Sequence, residues 1–171
     1  KIEIKNGKLV LKIKSKTTGA EKSQEFELKT GRGLALVKSD QSIRLGMEDG
    51  KLLLQRGRSN ALSQFPIELD PATNQLYVVT PQGKVALGLM PDTIISKAVG
   101  ENILDDVTDA QISTHAEQKA VYRLKGTKQV KLFGLFSLNA PVEAEVGLSL
   151  NRPKLAAQPW YLDLFGLLFS R

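Results

Sequence analysis

Cysteine is absent from this 171-residue chain, and histidine and tryptophan each occur once. The missing cysteine excludes disulfides, thiol catalysis and thiolate metal ligands together, and it leaves the compartment open. No apolar run approaches the roughly 20 residues that a membrane-spanning helix needs. There is no Gly-x-Ser-x-Gly elbow to present a nucleophile, no glycine-rich loop ending in the P-loop lysine and hydroxyl, and no complete dinucleotide fingerprint. Aromatic residues are scarce where positive charge is dense: Phe26 is the only one in residues 1–60. Stacking platforms for single-stranded nucleic acid need aromatics among the basic residues, so nucleic acid is set aside as a partner.

What is present is ordinary globular composition, 42% hydrophobic and 25% charged, which argues against wholesale disorder. The net charge of +6 is local. Residues 1–60 hold 14 Lys/Arg against 7 Asp/Glu, whereas residues 61–171 hold 10 against 11. Such a patch suits an anionic envelope polymer, a membrane surface or an acidic protein; lysines on the wet face of a sheet also keep its edges from pairing with other chains. The chain starts at Lys1 and not at methionine, which sets the expectation of a leader, tag or anchor upstream.

Strict alternation dominates the first ninety or so residues. In Lys8–Lys14, Leu9, Leu11 and Ile13 share one face and the lysines the other, the period of a half-buried strand. Further strands are expected at 25–29, 34–37, 42–47, 51–55, 66–70, 76–80 and 84–87. Asn6-Gly7-Lys8, Asp49-Gly50-Lys51 and Gln82-Gly83-Lys84 each read as a turn, a lysine and an outgoing strand. Their spacing changes from 43 to 33 residues, so they mark consecutive hairpins and not a solenoid. Pro91 suits the first position of a helix, Asp92 complements its positive end, and Ile94, Ile95, Ala98 and Val99 fall on one side, predicting a helix near 91–99 that stops at Gly100. Strands return at 110–115, 120–125, 129–136 and 142–150. Residues 151–159 read as a linker, and Pro159–Phe169 is an apolar tail expected to dock as a short helix, lie in a membrane interface or meet a partner.

Candidate chemistry is thin. His115 falls in phase with Ser113, which suggests an outward-pointing strand residue and not a catalytic base. Asp105, Asp106 and Asp109 form the densest acidic cluster, but lack the alternation, turn glycine and final glutamate of a calcium loop. Gly31-Arg32-Gly33 and Arg56-Gly57-Arg58 read as turns flanked by arginines. No catalytic, cofactor or metal residue is assigned. The interaction candidates are Lys12, Lys14, Lys16, Lys38, Arg44, Arg56 and Arg58 on a basic face, and Trp160, Tyr161 and Phe165 in the tail.

Ala110-Gln111-Ile112-Ser113-Thr114, Lys119-Ala120-Val121-Tyr122-Arg123-Leu124-Lys125-Gly126 and Pro141-Val142-Glu143-Ala144-Glu145-Val146 resemble the second half of PepSY-like domains, with the Pro91 helix in the place of that family's preceding helix. The resemblance implies an extracytoplasmic bacterial module, some of whose relatives are protease-inhibiting propeptides, and it supplies no catalytic residue. The whole chain also looks like bacterial envelope proteins with an N-terminal anchor, a β-rich ectodomain and a Pro-Trp-aromatic ending.

The expected fold is mainly β (α+β), an antiparallel hairpin-built sheet with one internal helix near 91–99 and a short apolar C-terminal helix or tail. Residues 1–90 form a basic hairpin-rich region, 91–150 a PepSY-like helix with strands and 151–171 a linker and tail; one continuous domain is the alternative division. The expected function is non-enzymatic binding or scaffolding in the bacterial envelope, outside the cytoplasm. The alternatives are a peptidase inhibitor, and a filament subunit that self-associates through strand edges or its tail.

Overall fold

Residues Lys8–Lys14, where lysines alternate with apolar side chains, form a strand paired on both sides in a computed structural model of the chain, which describes residues 2–5, 8–14, 21–26, 34–38, 41–70, 73, 75–115, 120–132, 136–148 and 153–159. The protein is mainly β, with one helix among the described residues. The strands are β1 (Ile2–Lys5), β2 (Lys8–Lys14), β3 (Glu21–Phe26), β4 (Leu34–Lys38), β5 (Gln41–Glu48), β6 (Lys51–Arg56), β7 (Ser59–Ser63), β8 (Ile67–Asp70), β9 (Gln75–Thr80) and β10 (Gly83–Ala86). Helix α1 (Pro91–Gly100) follows, then β11 (Asp106–Thr114), β12 (Ala120–Leu132), β13 (Phe136–Gly147) and β14 (Lys154–Ala157).

Two sheets result. One has six strands in the order β10-β9-β8-β1-β2-β3 and the other eight, in the order β14-β13-β12-β11-β7-β6-β5-β4. Among the described residues every pairing is antiparallel except β7 with β11, which run parallel, Gln111 opposite Leu62. A parallel neighbour requires a crossover, and β8, β9, β10 and α1 provide it. The eight-stranded sheet thus draws on residues from both sides of the helix. The buried core is one cluster extending from Ile2 through Ile67 and Val78 of the first sheet to Leu45, Leu54, Ile112, Tyr122, Val142 and Leu148 of the second.

Asp49-Gly50 makes a tight turn with both residues at positive φ, 50° and 72°, as a two-residue hairpin with right-twisted arms demands. Helix α1 starts on Pro91, carries Asp92 in its first turn and buries Pro91, Ile94 and Ala98 against β6, β7 and β11. It ends at Gly100, and Asn102, at φ 56°, turns the chain away. Tyr122 is fully buried beneath it, and its hydroxyl donates to the Leu89 carbonyl at 3.0 Å.

Several elements depart from the sequence pattern. Of the strand expected at 25–29, Glu25 and Phe26 end a strand that starts at Glu21, its register set by β2 from Lys14 opposite Glu21 to Leu9 opposite Phe26, and residues 27–29 lie outside the described residues. Ser59–Ser63 and Lys154–Ala157 are strands where alternation predicts none. The strands expected at 120–125 and 129–136 are continuous as far as Leu132 and form one thirteen-residue strand, β12. Phe136 belongs instead to the returning strand, β13. The apolar tail from Trp160 lies outside the described residues, as does Lys16.

Candidate functional site

The basic residues of the first third are divided between the two sheets. Lys12 and Lys14 belong to β2 in the six-stranded sheet, while Lys38, Arg44 and Arg56 belong to β4, β5 and β6 in the other. Arg44 is exposed and pairs across the ladder with Gln55. Arg56 sits opposite Ile43, in phase with buried Leu52 and Leu54. It therefore faces inward, where its Nε lies 3.5 Å from Asp92 Oδ2 in the first turn of α1. This corrects the placement of Arg56 on a wet basic face: strand period forces it onto the helix side, and a carboxylate meets it there. Arg58 is exposed in the turn begun by Gly57, at φ 61°. Trp160, Tyr161 and Phe165 lie outside the described residues.

The outer face of β11–β13 carries a polar ladder. Arg123 stands opposite Glu145, its Nη2 2.9 Å from Glu145 Oε1, and Lys125 stands opposite Glu143 at 3.5 Å. His115, exposed just past β11, places Nδ1 2.5 Å from Glu145 Oε2. Both oxygens of Glu145 are thus engaged. Ser113 precedes His115 by two residues, but its hydroxyl is buried with no hydrogen-bond partner among the described residues, so Ser113 is not coupled to the imidazole. Of the acidic cluster, Asp105 accepts from the Gln129 amide and Asp109 from Gln111 Nε2, and among the described residues no group of three acidic or histidine side chains is disposed to hold a metal ion. Burial first, and the Asp92 carboxylate second, push the Tyr122 hydroxyl well above the ordinary phenol range, so it stays a neutral structural donor.

The feature that stands apart is the far end of the β12–β13 hairpin. Strand β11 stops pairing at Asp106 opposite Thr127, and β14 pairs only with Glu143, Ala144 and Glu145. Five further pairs, from Lys128–Ala140 to Leu132–Phe136, have no third strand beside them among the described residues. At about 3.3 Å per residue this two-stranded ribbon reaches roughly 16 Å past its neighbours. Its base is pinned: the Asp105 amide donates to the Thr127 carbonyl at 2.8 Å, and Lys128 Nζ donates to the Asn102 carbonyl at 2.6 Å. A cleft of about 740 Å³ opens at that base, lined by Glu101, Asn102, Ile103, Asp105, Lys128, Gln129 and Leu155.

On β13, Ala140, Val142, Ala144 and Val146 are buried, and Leu138 and Phe136 continue the same alternation beyond the core. Phe136 is 67% exposed and Leu138 43%. Val130 lies opposite Leu138 and Leu132 opposite Phe136 in the ladder, and the core-side face of the sheet runs on through Val130, Leu138 and Phe136 as an apolar strip that no layer covers among the described residues. None of these residues is among the interaction candidates from the sequence. The available signal was the mirrored order Val130-x-Leu132 and Phe136-x-Leu138 around Gly134, the pattern of a hairpin with one apolar face.

Comparison with known proteins adds no relative: no protein family, curated protein or solved structure matches the chain.

Proposed function

We propose that this chain is a non-enzymatic binding or scaffolding domain of the bacterial cell envelope, and that the distal β12–β13 ribbon is its contact element. The observation that carries the reading is the exposure of Phe136 and Leu138 on a ribbon that leaves the body of the sheet. Apolar side chains held in one strip away from the core are a signature of interaction surfaces, whereas single scattered ones are not. The non-enzymatic part is supported by the engagement of the only histidine with Glu145, whose other oxygen is held by Arg123. The envelope setting rests on the PepSY-like resemblance of residues 91–150.

The test is co-fractionation of the purified full chain with a total bacterial envelope fraction of membrane, polymer and protein. The expected result is retention of the native chain and at least about tenfold weaker retention of Phe136→Ser/Leu138→Ser, whose substitutions remove two apolar side chains from the contact. Equal behaviour of the two chains would overturn the ribbon as the contact element. Circular dichroism verifies the fold of the variant, which is expected to persist because both side chains are exposed.

A further inference from the structure

Resting on that reading, we infer that the ribbon seats on an anionic lipid bilayer, its apolar face entering the acyl boundary and Lys131 lying at phosphate depth. Three observations carry this. The apolar pairs Val130–Leu138 and Leu132–Phe136 occupy the distal part of the ribbon, with exposed Lys131 between them in the ladder and Lys128 at the base. From Gly126 to Val142 the sequence contains no Asp or Glu, so the whole projection is cationic or neutral. Among the described residues no strand neighbours either long edge of the ribbon beyond Gln129–Asn139, so its outward backbone N–H and C=O groups have no ladder partner there.

The third point limits the depth. Open strand edges do not occur inside hydrocarbon, where nothing satisfies their hydrogen bonds, but head groups and interfacial water do satisfy them. The ribbon therefore lies shallowly in the interface, inserting side chains and not backbone. The charge pattern selects lipid over a second copy of this chain. A two-fold pairing of ribbon with ribbon would bring the exposed Lys131 near its own copy with no carboxylate on either ribbon to offset it, Glu101 and Asp105 lying back at the cleft by Lys128. An anionic leaflet supplies that negative charge, and each lysine near it strengthens binding by about fivefold.

The absence of cysteine provides the probe. Leu138→Cys and, separately, Arg44→Cys take a single environment-sensitive fluorophore in the full chain, Arg44 lying exposed on the eight-stranded sheet away from the ribbon. Each is mixed with vesicles of phosphatidylcholine alone or with phosphatidylglycerol added. The expected result is a blue shift at position 138 and not at 44, only with phosphatidylglycerol, weakening as salt is raised. Co-sedimentation with the same vesicles is expected to fall about tenfold or more for Phe136→Ser/Leu138→Ser and about fivefold for Lys131→Gln.

Vesicle binding unaffected by the ribbon substitutions, or a shift at position 44 alone, overturns the inference. So does a dimer in sedimentation velocity that the ribbon substitutions abolish. Retention by the envelope fraction without binding to phosphatidylglycerol vesicles removes the lipid assignment and leaves the binding reading standing. Retention by neither removes both.

Discussion

Replacing Gly126 with alanine tests where the body of the sheet ends and the ribbon begins. A Cβ built on Gly126 falls 1.9 Å from the Asp106 carbonyl oxygen, 3.0 Å from its carbon and 3.3 Å from Val107 Cα, all backbone atoms of β11. Ordinary contact is near 3.5 Å, so β11 must withdraw from β12 by more than about 1 Å. It is poorly free to do so, because the Asp105 amide holds the Thr127 carbonyl at 2.8 Å on the adjoining residues. Overpacking of this kind costs about 1–3 kcal/mol, and losing one or two ladder hydrogen bonds adds about 1 kcal/mol each, so we expect Gly126→Ala to cost about 3 kcal/mol or more. In a chain of this size that lowers Tm by roughly 6–12 °C. Two glycines serve as internal standards. Gly50, at φ 72° with nothing near its missing Cβ, should lose only the left-handed penalty of about 1–2 kcal/mol. Gly100, at the helix end with open space and no positive φ, should be neutral or gain up to about 1 kcal/mol. Urea and thermal unfolding followed by circular dichroism rank the three. A Gly126→Ala chain no less stable than Gly50→Ala would refute the close approach of β11 to β12 and, with it, the position assigned to the ribbon base.

Tyr122→Phe should cost about 1–2 kcal/mol near neutral pH, since it leaves the buried Leu89 carbonyl without its donor. The raised pKa of Tyr122 adds a pH signature: the unfolded phenol releases its proton above its ordinary value of 10.0 while the buried one keeps it, so this contribution is intact below that pH and is lost as pH rises. Its slope is about 1.4 kcal/mol per pH unit, and the gap between native and Tyr122→Phe chains should narrow in alkaline urea titrations; parallel curves would refute the burial of the hydroxyl. Glu145→Ala should cost about 1 kcal/mol, because Glu145 is largely buried but Arg123 and His115 are more than a third exposed. A double-mutant cycle with Arg123→Ala should then show about 0.5–1 kcal/mol of coupling, and a cycle closing at zero would deny the pair. Arg56→Ala should lower stability by about 1 kcal/mol, and in a cycle with Asp92→Asn a substantial part of that loss should vanish.

Much of the β architecture is legible in the sequence because local chemistry decides it. Lys8–Lys14 alternates, Asp49-Gly50 takes the two positive φ angles that its composition suits, and Pro91 and Gly100 bracket the helix. What escapes is structure held by neighbours and not by its own composition. Ser59–Ser63 contains little β-forming residue type and is a strand because β6 and β11 flank it. Lys154–Ala157 reads as linker and is held only by β13. Gly126-Thr127-Lys128 looks like a break between two strands, yet the ladder to β13 passes through it without a gap. The parallel pairing of β7 with β11 joins residues 49 apart through Leu62 and Gln111, a contact that no local period encodes.

The candidate site shows the same division, and the length of the turns explains it. Asp49-Gly50 is a two-residue turn, so β5 and β6 pair odd positions with even ones, Ile43 with Arg56 and Arg44 with Gln55. Arg44 and Arg56, both even, therefore face opposite sides, and a count of charge along the chain cannot become one basic face. Between β12 and β13 three residues intervene, so even positions pair with even, and Val130, Phe136 and Leu138 gather on one side. That much is derivable once both strands are recognised. Alternation has the same form on either side of Ala140, however, and does not mark where its cover stops. Buried Val142 and exposed Leu138 differ through tertiary structure: β14 flanks the sheet at Glu143–Glu145 and the core ends at Ala140. The apolar strip thus reads as core in the sequence and becomes a surface only because the ribbon outruns the layers that bury its inner half, which is why its loss should change binding while leaving the fold in place.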